Sequence, residues 1–479
     1  MAWLVLSALW TLAFALIPYT SPENLTACLA RAKVPFLIKD SIEWARETTT
    51  YNIRLNYTPA EVATPRSIDE IQVAVLCGIE NDFRVSAKGG GHSFGSFGLG
   101  GEDGHLVISL GRMRQVMVHD NHIAKVQPGA RLLHVATELY RQGRRAIPHG
   151  SCLSVGISGL VLHGGFGFAS RTYGLTLDWL IGATVVLANG SVVHCSATEN
   201  QDLFWALRGA GSSFGIVAEF EFNTFEAPRQ VTPFDIELSW DETRAVTAIE
   251  TFQNFALAAP RELNLMLDIT PTDKIIKGVY YGSHKQLYKV LRLLLRQSRG
   301  KISLTTVGWI ESLLEFDEVD PVHPFDSSLV LSISANDISH NNLAVSGSLY
   351  LSIEAHGGNN SAVAYIAQNE TAYGQRDKLL LFQLFDGGSR GYYPNDGFSR
   401  LTTIRESVTS SIADGKWGMY ANYVDTEVDA KTAERLYWGG NLRRLKKLKS
   451  ELDPKQVFRG PQGIQPGKGH LFPVSYDEL

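Results

Sequence analysis

No regular helix or strand accommodates the stretch AKGGGHSFGSFGLGG, residues 87–101. Glycine costs an element interior about 0.5–1 kcal/mol relative to alanine, and here it recurs too often for either element to persist. A chain this bare lets backbone N–H groups approach a ligand without Cβ interference, the geometry that cradles a phosphate or pyrophosphate. One imidazole, His92, follows three successive glycines. The run is neither a dinucleotide fingerprint opening a helix nor a Walker loop. On its own it also reads as a turn-rich connection without a ligand. GGFGFAS, residues 164–170, has the same texture.

The segments around these loops point to an α+β chain. Ser67 and Glu70 stand at capping-box spacing before apolar Ile68, Ile71, Val75 and Leu76, which predicts a helix running to Asn81. RVSA then enters the glycine loop as a strand; HLVISL and AKVQPGARL read as strands, LLHVATELYRQG and NQDLFWALRG as helices. In ATVVLANGSVVHC, Asn189-Gly190 joins two β-branched runs, a hairpin signal. FGIVAEFEFNTF alternates as a half-buried strand. From about Thr232 the strands lengthen (DIELSW, LNLMLDI, KGVYYG, SLYLSIEA, LLLFQLF) and are separated by amphipathic helices such as HKQLYKVLRLLLRQS. That pattern suits an antiparallel sheet with helices on one face. AERLYWGGNLRRLKKLKSELDP predicts one closing helix.

With 479 residues, 44% hydrophobic, the chain has material for one large domain or two to three smaller ones. A net charge of -5 leaves no electrostatic footprint for nucleic acid. The start is apolar from Trp3 to Ile17 and then polar, which predicts a signal peptide over 1–19 and no membrane span; no later segment reads as transmembrane. Sequons at Asn24, Asn56, Asn189, Asn359 and Asn369 fit a secreted, extracellular glycoprotein. The terminal YDEL differs in its first residue from an ER-retention tail. Cys28, Cys77, Cys152 and Cys195 allow three pairings, and the spacing does not choose. His149, Cys152, His163 and Cys195 lack paired ligand spacing, so no metal site is expected.

Residues 148–217, PHGSCLSVGISGLVLHGGFGFASRTYGLTLDWLIGATVVLANGSVVHCSATENQDLFWALRGAGSSFGIV, carry more specific information, and YANYVD and YWGGNLRRLKKLKSELDPKQVF follow in order. Through these motifs and KGGGHSFG the chain resembles the vanillyl-alcohol-oxidase type of FAD-linked oxidases, in the berberine-bridge-enzyme-like branch, and within it the fungal oligosaccharide oxidases. The resemblance implies a two-part FAD-binding domain of the PCMH type, residues 29–228 and 424–479, enclosing an α+β substrate domain at 229–423. It implies FAD held by Lys88, Gly89, Gly90, Gly91, Ser93, Gly156, Gly159, Gly164, Gly165, Gly167, Ile216 and Asn441. It further implies covalent attachment of the flavin 8α-methyl carbon to His92 and of flavin C6 to the Cys152 sulfur. Taken alone, His92 reads as a turn histidine and Cys152 as a buried or disulfide cysteine. The resemblance also implies a Cys28–Cys77 disulfide, with Cys195 left as a buried thiol; a Cys152–Cys195 disulfide is the competing arrangement and would remove one flavin link.

On the substrate side, Y-x-N-Y in GMYANYVD matches a pair in the carbohydrate oxidases. The match makes Tyr423 the base, assisted by Glu354, with Tyr420, Gln383 and Ser352 on the sugar. A phenol with pKa near 10 needs such help at neutral pH. Without the resemblance the tyrosines read as strand packing and Glu354 as a solvated strand face. Glu354 stands where the sugar oxidases carry aspartate, Ser352 where they often carry glutamine, and Leu160 where a histidine is usual. The implied reaction is oxidation of an anomeric sugar hydroxyl to the lactone, with O2 reduced to H2O2. The alternatives are oxidation or oxidative cyclisation of a specialised metabolite, and a catalytically idle flavoprotein. Expected partners are a small sugar substrate and O2, with no nucleic acid, no membrane and a monomeric chain.

Overall fold

The structure, a computed structural model, describes residues 24–52, 55–239, 242–316, 328–333, 349–386, 397–410, 412–413 and 415–467. The predicted signal segment and the YDEL tail lie outside them. Among the described residues no helix is long and apolar enough to cross a membrane.

Two larger sheets form the N-terminal half, beside a two-stranded ribbon of Arg145–Ala146 with Phe225–Glu226. One is parallel, in the order Glu61–Ala63, Leu106–Ser109, Val85–Lys88. The other is antiparallel, in the order Val116–Val118, Ala124–Val126, Ile216–Phe222, Leu180–Val186, Val192–Ser196. Ser67 caps the helix Ile68–Glu80 by accepting the Glu70 N–H at 3.2 Å. The reciprocal half of the box is displaced by one residue: the Glu70 carboxylate accepts from the Arg66 N–H at 2.7 Å. The helix buries Ile71, Ala74 and Val75 in a core shared with Leu106, Ile108 and Ile216. The hairpin closes as Asn189-Gly190 requires, with Val186 opposite Val192 and Gly190 at φ +80°. Cys28 and Cys77 are joined, tying the helix Leu25–Arg31 to Ile68–Glu80, while neither Cys152 nor Cys195 is in a disulfide. Burial pushes the Cys195 thiol up to about 12, so it stays protonated and inert.

The second half is an eight-stranded antiparallel sheet. Its order is Lys301–Leu304, Thr232–Glu237, Lys274–Tyr280, Leu263–Ile269, Leu349–Ala355, Leu380–Asp386, Ser328–Ile333, Trp417–Gly418. Strand alternation sorts its two faces. Leu265, Leu267, Leu351, Ile353, Phe382 and Leu384 point into one apolar cluster with Phe252, Leu287 and Leu291 of the helices Glu242–Ala258 and His284–Ser298. The intervening Met266, Ser352, Glu354, Gln383 and Phe385 face a cavity instead. A slip of one residue in any central strand would exchange the two sets, so burial of one face fixes what the other presents.

The closing segment departs from the single helix that its sequence predicts. It forms two helices, Ala430–Trp438 and Leu442–Leu452, because Gly439 takes φ +48° and a short 3-10 turn follows. Both dock back on the N-terminal half. The Trp438 indole N–H donates to Gly209 O at 2.9 Å, and Lys449, fully buried, pairs with Asp453 at 2.6 Å and donates to the carbonyls of Ser213 and Phe458.

Two buried cations connect the halves. Arg171, 0% exposed, donates to the carbonyls of Leu263, Ala259 and Gly357. Arg376 grips Asp178 through two bonds of 2.9 and 2.6 Å, with side chains 2% and 6% exposed. Arg376→Met would strand a buried carboxylate, which is expected to lower stability by about 3–5 kcal/mol. Denaturant midpoints of the flavin-loaded protein check this, and Arg376→Met with Asp178→Leu should recover most of the loss. A single variant within ~0.5 kcal/mol of wild type, the usual range of surface changes, would show that the pair carries little.

Candidate active site

A cavity of ≈ 770 Å³ lies between the N-terminal half, the large sheet and the closing segment. The strand Val85–Lys88 delivers the glycine loop to its wall, where Gly89, Gly90, Gly91, His92 and Ser93 line it. Cys152, Gly156 and Gly159 line the facing wall. The two loops meet backbone to backbone: a Cβ on Gly90 would lie 2.3 Å from the Gly156 nitrogen. Behind them the Arg131 guanidinium donates to Gly90 O at 2.6 Å and Ser154 O at 2.7 Å. That clamp holds His92 and Cys152 on one chamber. Farther along, Val85, Leu110, Ile216, Val217 and Phe458 give the chamber an apolar stretch. Bare backbone beside apolar walls fits a ligand with flat rings and an anionic bridge, as FAD has.

The rings beside His92 reach the tyrosine pair. Tyr51 stands 5.1 Å from the His92 imidazole and 5.8 Å from Phe94, and Phe94 stacks on Tyr423 at 5.7 Å and 26°. Opposite, sheet register assembles the second wall. Asp235 pairs with Lys277, Lys277 with Met266, and Met266 with Glu354, so these four share one row; Ser352 pairs with Gln383 in the next. All six line the cavity. Lys277 lies 3.1 Å from Asp268, and burial holds the Asp235 carboxyl above its ordinary pKa, opposed by the Lys277 charge.

Most of the site residues expected from the sequence line this one chamber: His92, Cys152, Gly89, Gly90, Gly91, Ser93, Gly156, Gly159, Ile216, Tyr420, Tyr423, Glu354, Gln383 and Ser352. Five do not. Lys88 pairs with Glu47 at 3.0 Å and does not line the cavity. Asn441 donates to the carbonyls of Gln368 and Thr371, 3.0 and 3.2 Å away, and fastens that loop. Gly164, Gly165 and Gly167 lie behind the wall: the Gly165 N–H meets the Tyr420 hydroxyl, and a Cβ on Gly167 would sit 2.2 Å from His149 O. At these positions the absence of a Cβ permits close packing.

Sequence reasoning did not anticipate Tyr51, Phe94, Asp235, Lys277 or Glu315, all on the cavity. His163, considered only as a metal ligand, bonds Gly159 O at 2.9 Å and Ser212 Oγ at 2.8 Å, and burial pushes its pKa down, so it stands neutral. Strand alternation could have put Asp235 and Lys277 on polar faces, but only the register puts those faces together.

Fold and chamber together define an FAD-linked oxidoreductase. The FAD binding domain model matches residues 59–196, and the berberine and berberine like model matches residues 419–465. The chain is 42% identical to the chitooligosaccharide oxidase of Gibberella zeae, over 93% of this chain and 95% of that protein. A solved glucooligosaccharide oxidase from Acremonium strictum, described with 6-S-cysteinyl, 8α-N1-histidyl FAD, is 40% identical with a TM-score of 0.89, covering 93% of this chain and 100% of that one. The xylooligosaccharide oxidase from Myceliophthora thermophila C1, in complex with xylobiose, is 41% identical with a TM-score of 0.88 over 93% and 100% of the two chains. The chain belongs to the berberine-bridge-like FAD-linked oxidases and is similar to fungal oligosaccharide oxidases.

Proposed function

We propose that the protein is a secreted oxidase that converts the anomeric hydroxyl of a sugar or oligosaccharide to the lactone and passes the electrons to O2, giving H2O2. The observation that carries this reading is the single chamber on which His92 and Cys152 face Tyr423, Glu354, Gln383 and Ser352. FAD is joined here through His92 and Cys152, as supported by the doubly linked flavin of the Acremonium strictum relative. Bound there, the flavin supplies the hydride acceptor. The chain supplies position and proton transfer. Tyr423, stacked against the flavin loop through Phe94, takes the hydroxyl proton, and the Glu354 carboxylate assists it from the sheet. Gln383 and Ser352 hold sugar hydroxyls beside Glu354, and the Asp235–Lys277 end of the row offers an acceptor and a donor to a ring farther along. The disulfide and the exposure of all five sequon asparagines support passage through the secretory route.

The test mixes purified protein with mono- and oligosaccharides of glucose, xylose and N-acetylglucosamine and follows flavin bleaching without oxygen and peroxide with it. Bleaching by at least one sugar, with peroxide on readmitting air, is expected. A flavin that dithionite bleaches and no sugar does would overturn the reading.

A further inference from the structure

We infer that Tyr420 is a positioning residue that fixes the base tyrosine, and not a contact for the sugar; this rests on the reading of Tyr423 as the base. The Tyr420 hydroxyl oxygen accepts three N–H donors: Gly165 N at 2.8 Å, Phe166 N at 3.1 Å and Asn422 Nδ2 at 3.0 Å. A phenol oxygen has few lone pairs to offer. Three donors occupy them, so none remains to accept a sugar hydroxyl, and the one proton the oxygen can donate belongs to a residue only 2% exposed. Each donor is itself immobile. Two are successive backbone groups of a turn in which Gly164 and Gly165 hold φ +147° and +86°, and a Cβ on Gly164 would meet the Tyr420 ring at 2.7 Å. The third belongs to an amide that also donates to Leu160 O at 3.0 Å, at the helix Ile157–His163.

The tether is transmitted to Tyr423 through its ring. Tyr420, 2% exposed, meets Tyr423 edge-on at 5.0 Å and 77°, and its carbonyl accepts the Tyr423 N–H at 2.9 Å. Tyr423 is therefore held by two rings, Phe94 of the His92 loop stacked on it and the tethered Tyr420 edge-on. Behind Tyr420 stands Tyr373, edge-on at 6.0 Å, whose hydroxyl bonds His356 Nε2 at 2.9 Å. The Tyr420 ring thus contacts a second buried, hydrogen-bonded tyrosine besides Tyr423. Displacement of a reacting group by about 1 Å costs on the order of 10²-fold in rate, so loss of the tether acts on the chemical step more than on binding.

The test is anaerobic rapid mixing of the flavin-loaded enzyme with the best sugar of the panel. Tyr420→Phe is expected to lower the limiting rate of flavin reduction by roughly 10²-fold, with the sugar dissociation constant and the pH midpoint of reduction nearly unchanged. Tyr420→Phe leaves two buried N–H groups without their acceptor, so Asn422→Leu, which spares them, is the second variant. It should lower the rate in the same direction but less, and the double variant should be no slower than Tyr420→Phe, because both act through one tether. A raised dissociation constant with an intact limiting rate would make Tyr420 a sugar contact and overturn the inference. Reduction at the wild-type rate would also overturn it. If Tyr423→Phe itself reduces normally, the base reading falls and this inference with it, whereas a required Tyr423 beside an indifferent Tyr420 removes the tether alone.

Discussion

Tyr423→Phe is expected to slow flavin reduction by the sugar by roughly 10²-fold or more, the usual contribution of a positioned base, while folding and flavin content survive. The substitution removes one oxygen and keeps the ring that stacks on Phe94. Sugar binding should therefore weaken far less than the rate. Glu354→Gln keeps the size and hydrogen-bonding reach but removes the carboxylate proposed to assist the tyrosine. Its reduction rate should fall and should rise only at higher pH, toward the ordinary tyrosine range near 10, since solvent must then take the phenolic proton. Anaerobic rapid mixing across pH measures both. Tyr423→Phe reducing at the wild-type rate would make the tyrosine a packing residue and move the base elsewhere on the chamber.

The second large effect concerns the cofactor. Flavin is expected to stay with the wild-type polypeptide after acid denaturation, because two covalent links persist once the fold is gone. His92→Ala should retain flavin through Cys152, and Cys152→Ala should retain it through His92. Only the double variant should release it all. Absorbance of the precipitated and soluble fractions, with peptide masses, decides the matter; complete release from either single variant would end the two-link assignment.

What the sequence disclosed about this site was local in the chain. The glycine run before His92 and the glycines after Cys152 are contiguous strings, and a contiguous string keeps its backbone character wherever the fold puts it. The hairpin at Asn189-Gly190 and the cap at Ser67 were legible for the same reason, whereas the Cys28–Cys77 pairing, 49 positions apart, came only from the resemblance. Residues whose role depends on a distant partner were not. Lys88 finds Glu47 in a helix 41 positions away, and Asn441 finds carbonyls about 70 positions back, so neither destination is written in its own neighbourhood. Asp235 and Lys277 join the Glu354 row only through the pairing of strands separated by helices. The apolar spacing of the closing segment spans Gly439 and reads as one helix, but the backbone turn there outweighs the periodicity.

The chamber's wall includes Phe458, Gly460 and Gln462 from the closing segment as well as Val85 and Gly89 from near the start, and the Val85 N–H donates to Val457 O at 2.9 Å. Its two rims are thus separated by most of the chain, with the large sheet between them in sequence. Closure of the chamber therefore depends on a segment that, among the described residues, is made last, so deleting residues 453–467 is expected to remove the Val457 bond to Val85 and to lower flavin content.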